Sequence, residues 1–161
     1  RSTLFPYTTL FRSTNRNTVD PLELIDQGYG ADALRVYELF IGPYELDASW
    51  DPRGIVGTYR FLARIWTLVQ EFKQSETRLG VNSALDKALH QAISKVKYHL
   101  DNLGFNTAVA ALMELVNDLY KLKTDGFVGD WQRALEQLTQ MLEPFAPHLA
   151  NELWQELTGG W

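Results

Sequence analysis

Gly54-Ile55-Val56-Gly57-Thr58-Tyr59-Arg60-Phe61-Leu62-Ala63-Arg64-Ile65-Trp66-Thr67-Leu68-Val69-Gln70-Glu71-Phe72 decides the fold class of this chain. Ile55, Tyr59, Leu62, Ile65, Trp66, Val69 and Phe72 recur at spacings of three and four, the period that gathers apolar side chains on one face of an α-helix. Asp51-Pro52 just ahead supplies a cap and a proline that the first helical turn tolerates, so the spacing predicts a helix from about Pro52 to Phe72. Gly54 and Gly57 weaken its first turns, or else let another backbone approach closely.

The same signals repeat on both sides. Asp20-Pro21-Leu22-Glu23 reads as a capping box opening a short helix that ends near Gln27, and a second helix, about Ala31 to Ile41, stops at Gly42-Pro43. After the polar linker Lys73 to Asn82, Ser83-Ala84-Leu85-Asp86 reads as another capping box; Leu85, Leu89, Ala92, Val96, His99, Leu100 and Leu103 then share a face until Gly104 stops the helix. Asn106 is placed to cap the next helix, which carries Val109, Leu112, Met113, Val116, Leu119 and Tyr120 up to Asp125-Gly126. Asp130 caps another through Leu142, and Pro144 and Pro147 separate it from a last helix, Ala146 to Leu157. Beyond the first residues no alternating strand pattern occurs, so the expected fold is all-α, an up-down helical bundle preceded by short connector helices.

The chain has 161 residues and no cysteine, which excludes disulfides and thiolate zinc sites and fits a cytoplasmic setting. No apolar run approaches the roughly 20 residues a membrane span needs. A net charge of -5 argues against a free-standing nucleic-acid binder, yet the charge is segregated. Residues 1–52 carry -4, residues 53–100 carry +5 and residues 101–161 carry -6. A basic middle between acidic ends suits a bundle that turns one part of its surface towards a polyanion.

Few residues suggest catalysis. His90, His99 and His148 lie far apart and lack the carboxylate or cysteine spacing of a metal site, and there is no Ser/His/Asp order, paired-carboxylate motif or phosphate-cradling glycine loop. Trp66 and Trp154 fall on apolar stripes and read as core, whereas Trp50 reads as an anchor docking the connector onto the bundle. Arg53, Arg60 and Arg64, seven and four residues apart, share one helical face away from Leu62, Ile65 and Val69 and are candidates for gripping phosphates. Lys87, Lys95 and Lys97 on the next helix extend that candidate set, although solvated cations need no ligand.

Asn17-Thr18-Val19-Asp20-Pro21, Tyr29-Gly30-Ala31-Asp32-Ala33-Leu34-Arg35, Gly42-Pro43 with Ala48-Ser49-Trp50, Phe105-Asn106-Thr107-Ala108 and Ala146-Pro147-His148-Leu149-Ala150-Asn151-Glu152-Leu153-Trp154 together resemble the leucyl-tRNA synthetase family downstream of its ATP-binding signature loop. Valyl, isoleucyl and methionyl relatives share the bundle and the Pro-His segment, but the connector and the Phe-Asn-Thr-Ala start look specific to the leucine family. The resemblance implies a tRNA-holding helical domain, truncated at its C-terminus, whose parent enzyme ligates leucine to tRNA(Leu) with ATP and Mg2+. It implies contacts with the tRNA(Leu) backbone and with the parent's catalytic domain, and makes Asn17 and Asp20 remnants of the ATP loop's exit turn. The positions expected to hold the signature read Leu10-Phe11-Arg12-Ser13-Thr14, without its two lysines, so no catalytic residue, metal or cofactor is expected in this piece. Residues 1–13, with Thr-Leu-Phe twice, read as a translated adapter, or alternatively a divergent strand; residues 14–51 as the end of the catalytic core and its connector; and residues 52–161 as the bundle. A helical protein-interaction module with no RNA role is the rival reading, and it requires an exposed apolar groove.

Overall fold

A computed structural model describes residues 20–160 apart from 44, 48, 49, 52, 77 and 79. The N-terminal leader and Asn17 lie outside the described residues. Seven α-helices follow one another among the described residues: α1 (Pro21–Asp26), α2 (Gly30–Phe40), α3 (Gly54–Gln74), α4 (Ser83–Asp101), α5 (Phe105–Leu122), α6 (Trp131–Leu142) and α7 (Pro147–Thr158), with a 3-10 turn at Lys123–Asp125. The fold is all-α, as the periodicity requires. Its only β element among the described residues is an isolated parallel bridge between Arg78 and Val128, which pins the α3–α4 link to the segment entering α6.

Short loops dictate the pairing. Three residues join α4 to α5 and four join α6 to α7, so each pair folds back on itself and packs side by side. α3 lies against α2, α5 and α7. One apolar core runs through all of these, from Leu34, Val36 and Tyr37 of α2 to Ile65 and Leu68 of α3, Leu112 and Leu119 of α5, Leu135 and Leu138 of α6 and Leu153 of α7. The connector helix α2 thus contributes to the same core as the bundle.

Several local expectations change on contact with the structure. α3 buries Ile55, Thr58, Phe61, Leu62, Ile65, Leu68, Val69 and Phe72, an arc rotated from the predicted stripe, leaving Tyr59 44% and Trp66 38% exposed. The rotation follows from α3 facing several partners: Phe61 and Leu68, off the narrow stripe, gain neighbours, and the Thr58 hydroxyl donates to the Ala33 carbonyl of α2 at 3.0 Å. At the start of α4 the cap is Asn82 rather than Ser83, its side-chain oxygen accepting the Leu85 N–H at 3.1 Å. No side chain caps α5, where Phe105 is the first helical residue and Gly104 takes the cap position in place of Asn106.

The α4 stop also differs from expectation. Leu103, not Gly104, adopts the left-handed conformation, with φ 55. The Gly104 N–H reaches the His99 carbonyl at 2.7 Å and the Leu103 N–H the Leu100 carbonyl at 3.2 Å, the paired bonds that close a helix end in the Schellman arrangement. A leucine there carries the strain of a left-handed residue, and its side chain is largely exposed. Asp20 and Asp130 cap as expected, accepting the Leu22 N–H at 2.9 Å and the Arg133 N–H at 3.2 Å.

Gly54 and Gly57 separate into two roles. A Cβ on Gly54 would lie 2.3 Å from the Tyr37 ring, whereas one on Gly57 would meet nothing. The close approach at Gly54 is by a side chain of α2 rather than by a backbone. Tyr37 is buried, its hydroxyl donates to the Asp51 carbonyl at 2.7 Å and accepts the Asp51 N–H at 3.1 Å, and its ring meets Trp50 edge-to-face with centroids 4.9 Å apart. Gly54→Ala is therefore expected to destabilise the fold by about 1–3 kcal/mol through overpacking. Gly57→Ala should stabilise it by roughly 0.5–1 kcal/mol by restricting the unfolded chain. Urea unfolding of both variants checks the opposite signs.

Candidate nucleic-acid interface

The six basic candidates do not form one open stripe. Arg53 turns back onto Asp51, with Nε 3.0 Å from Oδ1 and Nη2 2.9 Å from Oδ2, and these hydrogen bonds hold the Asp51 carboxyl below its ordinary value. Arg64 donates from Nη1 to Asn117 Oδ1 at 2.9 Å and lies over the Tyr120 ring at 4.6 Å. Tyr120 returns its hydroxyl to the Arg64 carbonyl at 2.9 Å, and Lys123 lies 3.9 Å from the same ring centroid while pairing with Glu71. Arg64 therefore clasps α3 to α5. Lys95 pairs with Glu114 at 2.6 Å and Lys97 with Asp101 at 3.0 Å.

Arg60 and Lys87 are different. Both are exposed, and neither enters an ion pair among the described residues. Lys87 borders a shallow groove between α4 and α5, opposite Asp118 and Lys121. Lys121 lines the same groove, paired with Asp118 at 2.8 Å, and sequence reasoning passed over it because it sits in the acidic third of the chain.

The Tyr-Gly-Ala-Asp segment forms a second centre. Asp32 is nearly buried; its Oδ2 accepts the Leu149 N–H at 2.8 Å, and its Oδ1 accepts Arg35 Nη1 at 2.9 Å. His148 Nδ1 stands 3.4 Å from the same Oδ1. Leu149 belongs to the first turn of α7, where backbone N–H groups have no helical partner and a negative charge is favoured. Asp32 thus caps α7 from 117 residues away. His148 stays mostly exposed beside this carboxylate.

Trp50, expected to dock the connector onto the bundle, is only partly exposed and packs on Tyr37, a residue of the connector helix α2 itself. Asp20, read from the resemblance as a remnant of the ATP-loop exit, caps α1. Among the described residues no cluster of three or more His, Asp or Glu is arranged to hold a metal ion, and no helix is long and apolar enough to cross a membrane.

Known proteins arrange the same parts. Residues 82–160 match the family model described as the anticodon-binding domain of tRNA ligase. Within this chain that match takes in α4 to α7. Leucine–tRNA ligase of Herpetosiphon aurantiacus is 44% identical over 143 residues, 88% of this chain and 17% of the relative. The leucine–tRNA ligase of Prosthecochloris aestuarii is 41% identical over 146 residues, 89% of this chain and 18% of the relative. Among solved structures, the agnB2 leucyl-tRNA synthetase of Agrobacterium radiobacter K84, in a ternary complex with tRNA and LeuAMS, superposes with a TM-score of 0.73 at 27% identity, covering 92% of this chain and 20% of that one. The chain therefore corresponds to the anticodon-binding helical part of leucine–tRNA ligases and spans about 17–18% of the length of these curated relatives.

Because Asp32 satisfies an otherwise orphaned N–H of α7 from another helix, Asp32→Ala should lower stability by about 1–3 kcal/mol. Asp32→Asn, which keeps an acceptor oxygen but not the charge, should lose less. Equilibrium denaturation followed by circular dichroism measures both, and equal losses would refute the part assigned to the retained acceptor.

Proposed function

We propose that this chain is the tRNA-holding helical domain of a cytoplasmic leucine–tRNA ligase, an enzyme that joins leucine to tRNA(Leu) at the expense of ATP with Mg2+. The observation that carries the proposal is the likeness of 92% of the chain to part of a synthetase solved with tRNA. Identity of 40–44% to leucine–tRNA ligases supports leucine over the valine, isoleucine and methionine relatives. In this reading residues 14–51 continue from the catalytic core, which contributes the ATP site, and residues 52–161 lie along the tRNA.

Contact is by shape and phosphate, since phosphate contacts position an RNA without reading its sequence. Arg60 and Lys87 are the cations best suited to it, being exposed and without an ion-pair partner. Arg53, Lys95 and Lys97 must first leave a carboxylate, and Arg64 an amide and an aromatic ring.

Two measurements test this reading. Replacing Arg60 and Lys87 together with glutamine should weaken binding to a tRNA(Leu) transcript at low salt and flatten its dependence on log salt concentration by up to about two units, close to 0.9 per phosphate released. Lys95→Gln and Lys97→Gln should change the slope less. Unchanged affinity in the double variant at every salt concentration would remove these two cations from the interface. The purified chain should also fail to support leucine-dependent pyrophosphate exchange, because its sequence offers neither signature lysine to stabilise the transferring charge.

A further inference from the structure

We infer that the groove between α2, α3 and the first turn of α7 is a stacking site for an unpaired nucleobase of the bound RNA. The inference rests on the tRNA reading above and adds a second kind of contact to it.

The groove holds about 380 Å³ and is lined mainly by apolar and aromatic side chains, among them Tyr29, Tyr59, Leu62, Trp66 and His148, with the Asp32 carboxylate as its principal polar group. That volume lies at the low end of the roughly 300–1,000 Å³ typical of sites for small flat ligands. Tyr59 and Trp66 stand two helical turns apart on α3, so their rings share one rim. They are 44% and 38% exposed in a chain whose other large α3 apolar side chains, Ile55, Phe61, Ile65, Leu68 and Phe72, are buried. Tyr29 meets Tyr59 edge-to-face, with centroids 5.8 Å apart and planes at 77°, which restrains the Tyr59 ring. A half-exposed aromatic rim with one ring held in place suits a base, because every base offers a π-face and stacking needs no particular hydrogen-bond pattern.

Charge selects a nucleic acid over an apolar peptide as occupant. Both Asp32 oxygens already serve Leu149, Arg35 and the nearby His148, so the groove presents a neutralised carboxylate. Arg60 follows Tyr59 directly on α3 and stands outside the groove lining, exposed and without an ion-pair partner among the described residues, where it can meet the phosphate of a nucleotide whose base enters over the rim. The synthetase whose likeness covers 92% of this chain was solved with tRNA, which favours RNA over an apolar protein segment as the occupant.

The test compares binding of labelled tRNA(Leu) with that of a blunt RNA duplex lacking unpaired bases, across a salt series, for the chain and for Trp66→Ala, Trp66→Phe, Tyr59→Ala and Arg60→Gln. Trp66→Ala should weaken tRNA binding by about five- to hundredfold without changing the salt slope and leave the duplex unaffected. Trp66→Phe should retain most of the affinity, and Tyr59→Ala should resemble Trp66→Ala. If Trp66→Ala does not fold, as judged by circular dichroism, Trp66→Phe and Tyr59→Ala carry the comparison. Should the folded aromatic variants bind tRNA like the parent while Arg60→Gln flattens the salt slope, the stacking site is overturned and the phosphate reading stands. Equal losses for tRNA and duplex in the aromatic variants overturn it as well, and absence of tRNA binding by the parent chain at low salt overturns both.

Discussion

The Asp32 carboxylate ties the two ends of this fold together. It begins on the connector helix α2, reaches the first turn of α7 and receives the Leu149 N–H there. Each helix N-terminus leaves backbone donors without partners, and burying them unpaired is costly. A carboxylate meets that need better than a neutral side chain because it also answers the positive end of the helix dipole. Burying the carboxylate would itself be unfavourable, and the guanidinium of Arg35, one turn along α2, offsets the cost. The Tyr-Gly-Ala-Asp segment is therefore the place where the connector and the last helix are held in register. Thr58 and Tyr37 reinforce the same junction, joining α3 and Asp51 to α2 through buried hydroxyl bonds.

The basic middle of the chain illustrates how formal charge and available charge differ. Eight cations stand between Arg53 and Leu100, but several spend their hydrogen bonds inside the molecule. Arg64 lies over Tyr120, Lys73 pairs with Glu156 of α7 and holds that carboxyl below its usual value, and Arg53 folds onto Asp51. Exposed pairs of this kind are weak, typically 0–1 kcal/mol, so a polyanion can compete for them. Unpaired Arg60 and Lys87 need no such exchange and set the part of the surface where an RNA phosphate meets least resistance.

Much of this architecture is written in local sequence. The period of three and four, the prolines at Pro21 and Pro147 and the aspartates at Asp20 and Asp130 announce helices because each acts within a turn or two of chain. For the same reason α6 and α7 fall close to their expected bounds. The errors arise where a neighbour distant in sequence intervenes. Trp66 lies on the predicted stripe yet sits at its rim because α3 is packed on the side of Phe61 and Leu68. Leu103, counted as an inward-facing residue, instead takes the left-handed turn that closes α4.

Fold class, helix order and family resemblance follow from the chain read alone, since periodicity, caps and short motifs are properties of neighbouring residues. Which of the basic residues remain free, why Gly54 must lack a side chain and what Asp32 does are settled only in three dimensions. Arg64 and Arg60 are equivalent by spacing; Asn117 and Tyr120, more than fifty residues on, distinguish them. Asp32 is one acidic residue among twenty until α7 arrives against it. Hydrogen bonding and desolvation act over a few ångströms of space whatever the separation along the chain, so the assignment of these residues waits on the fold that brings their partners within reach.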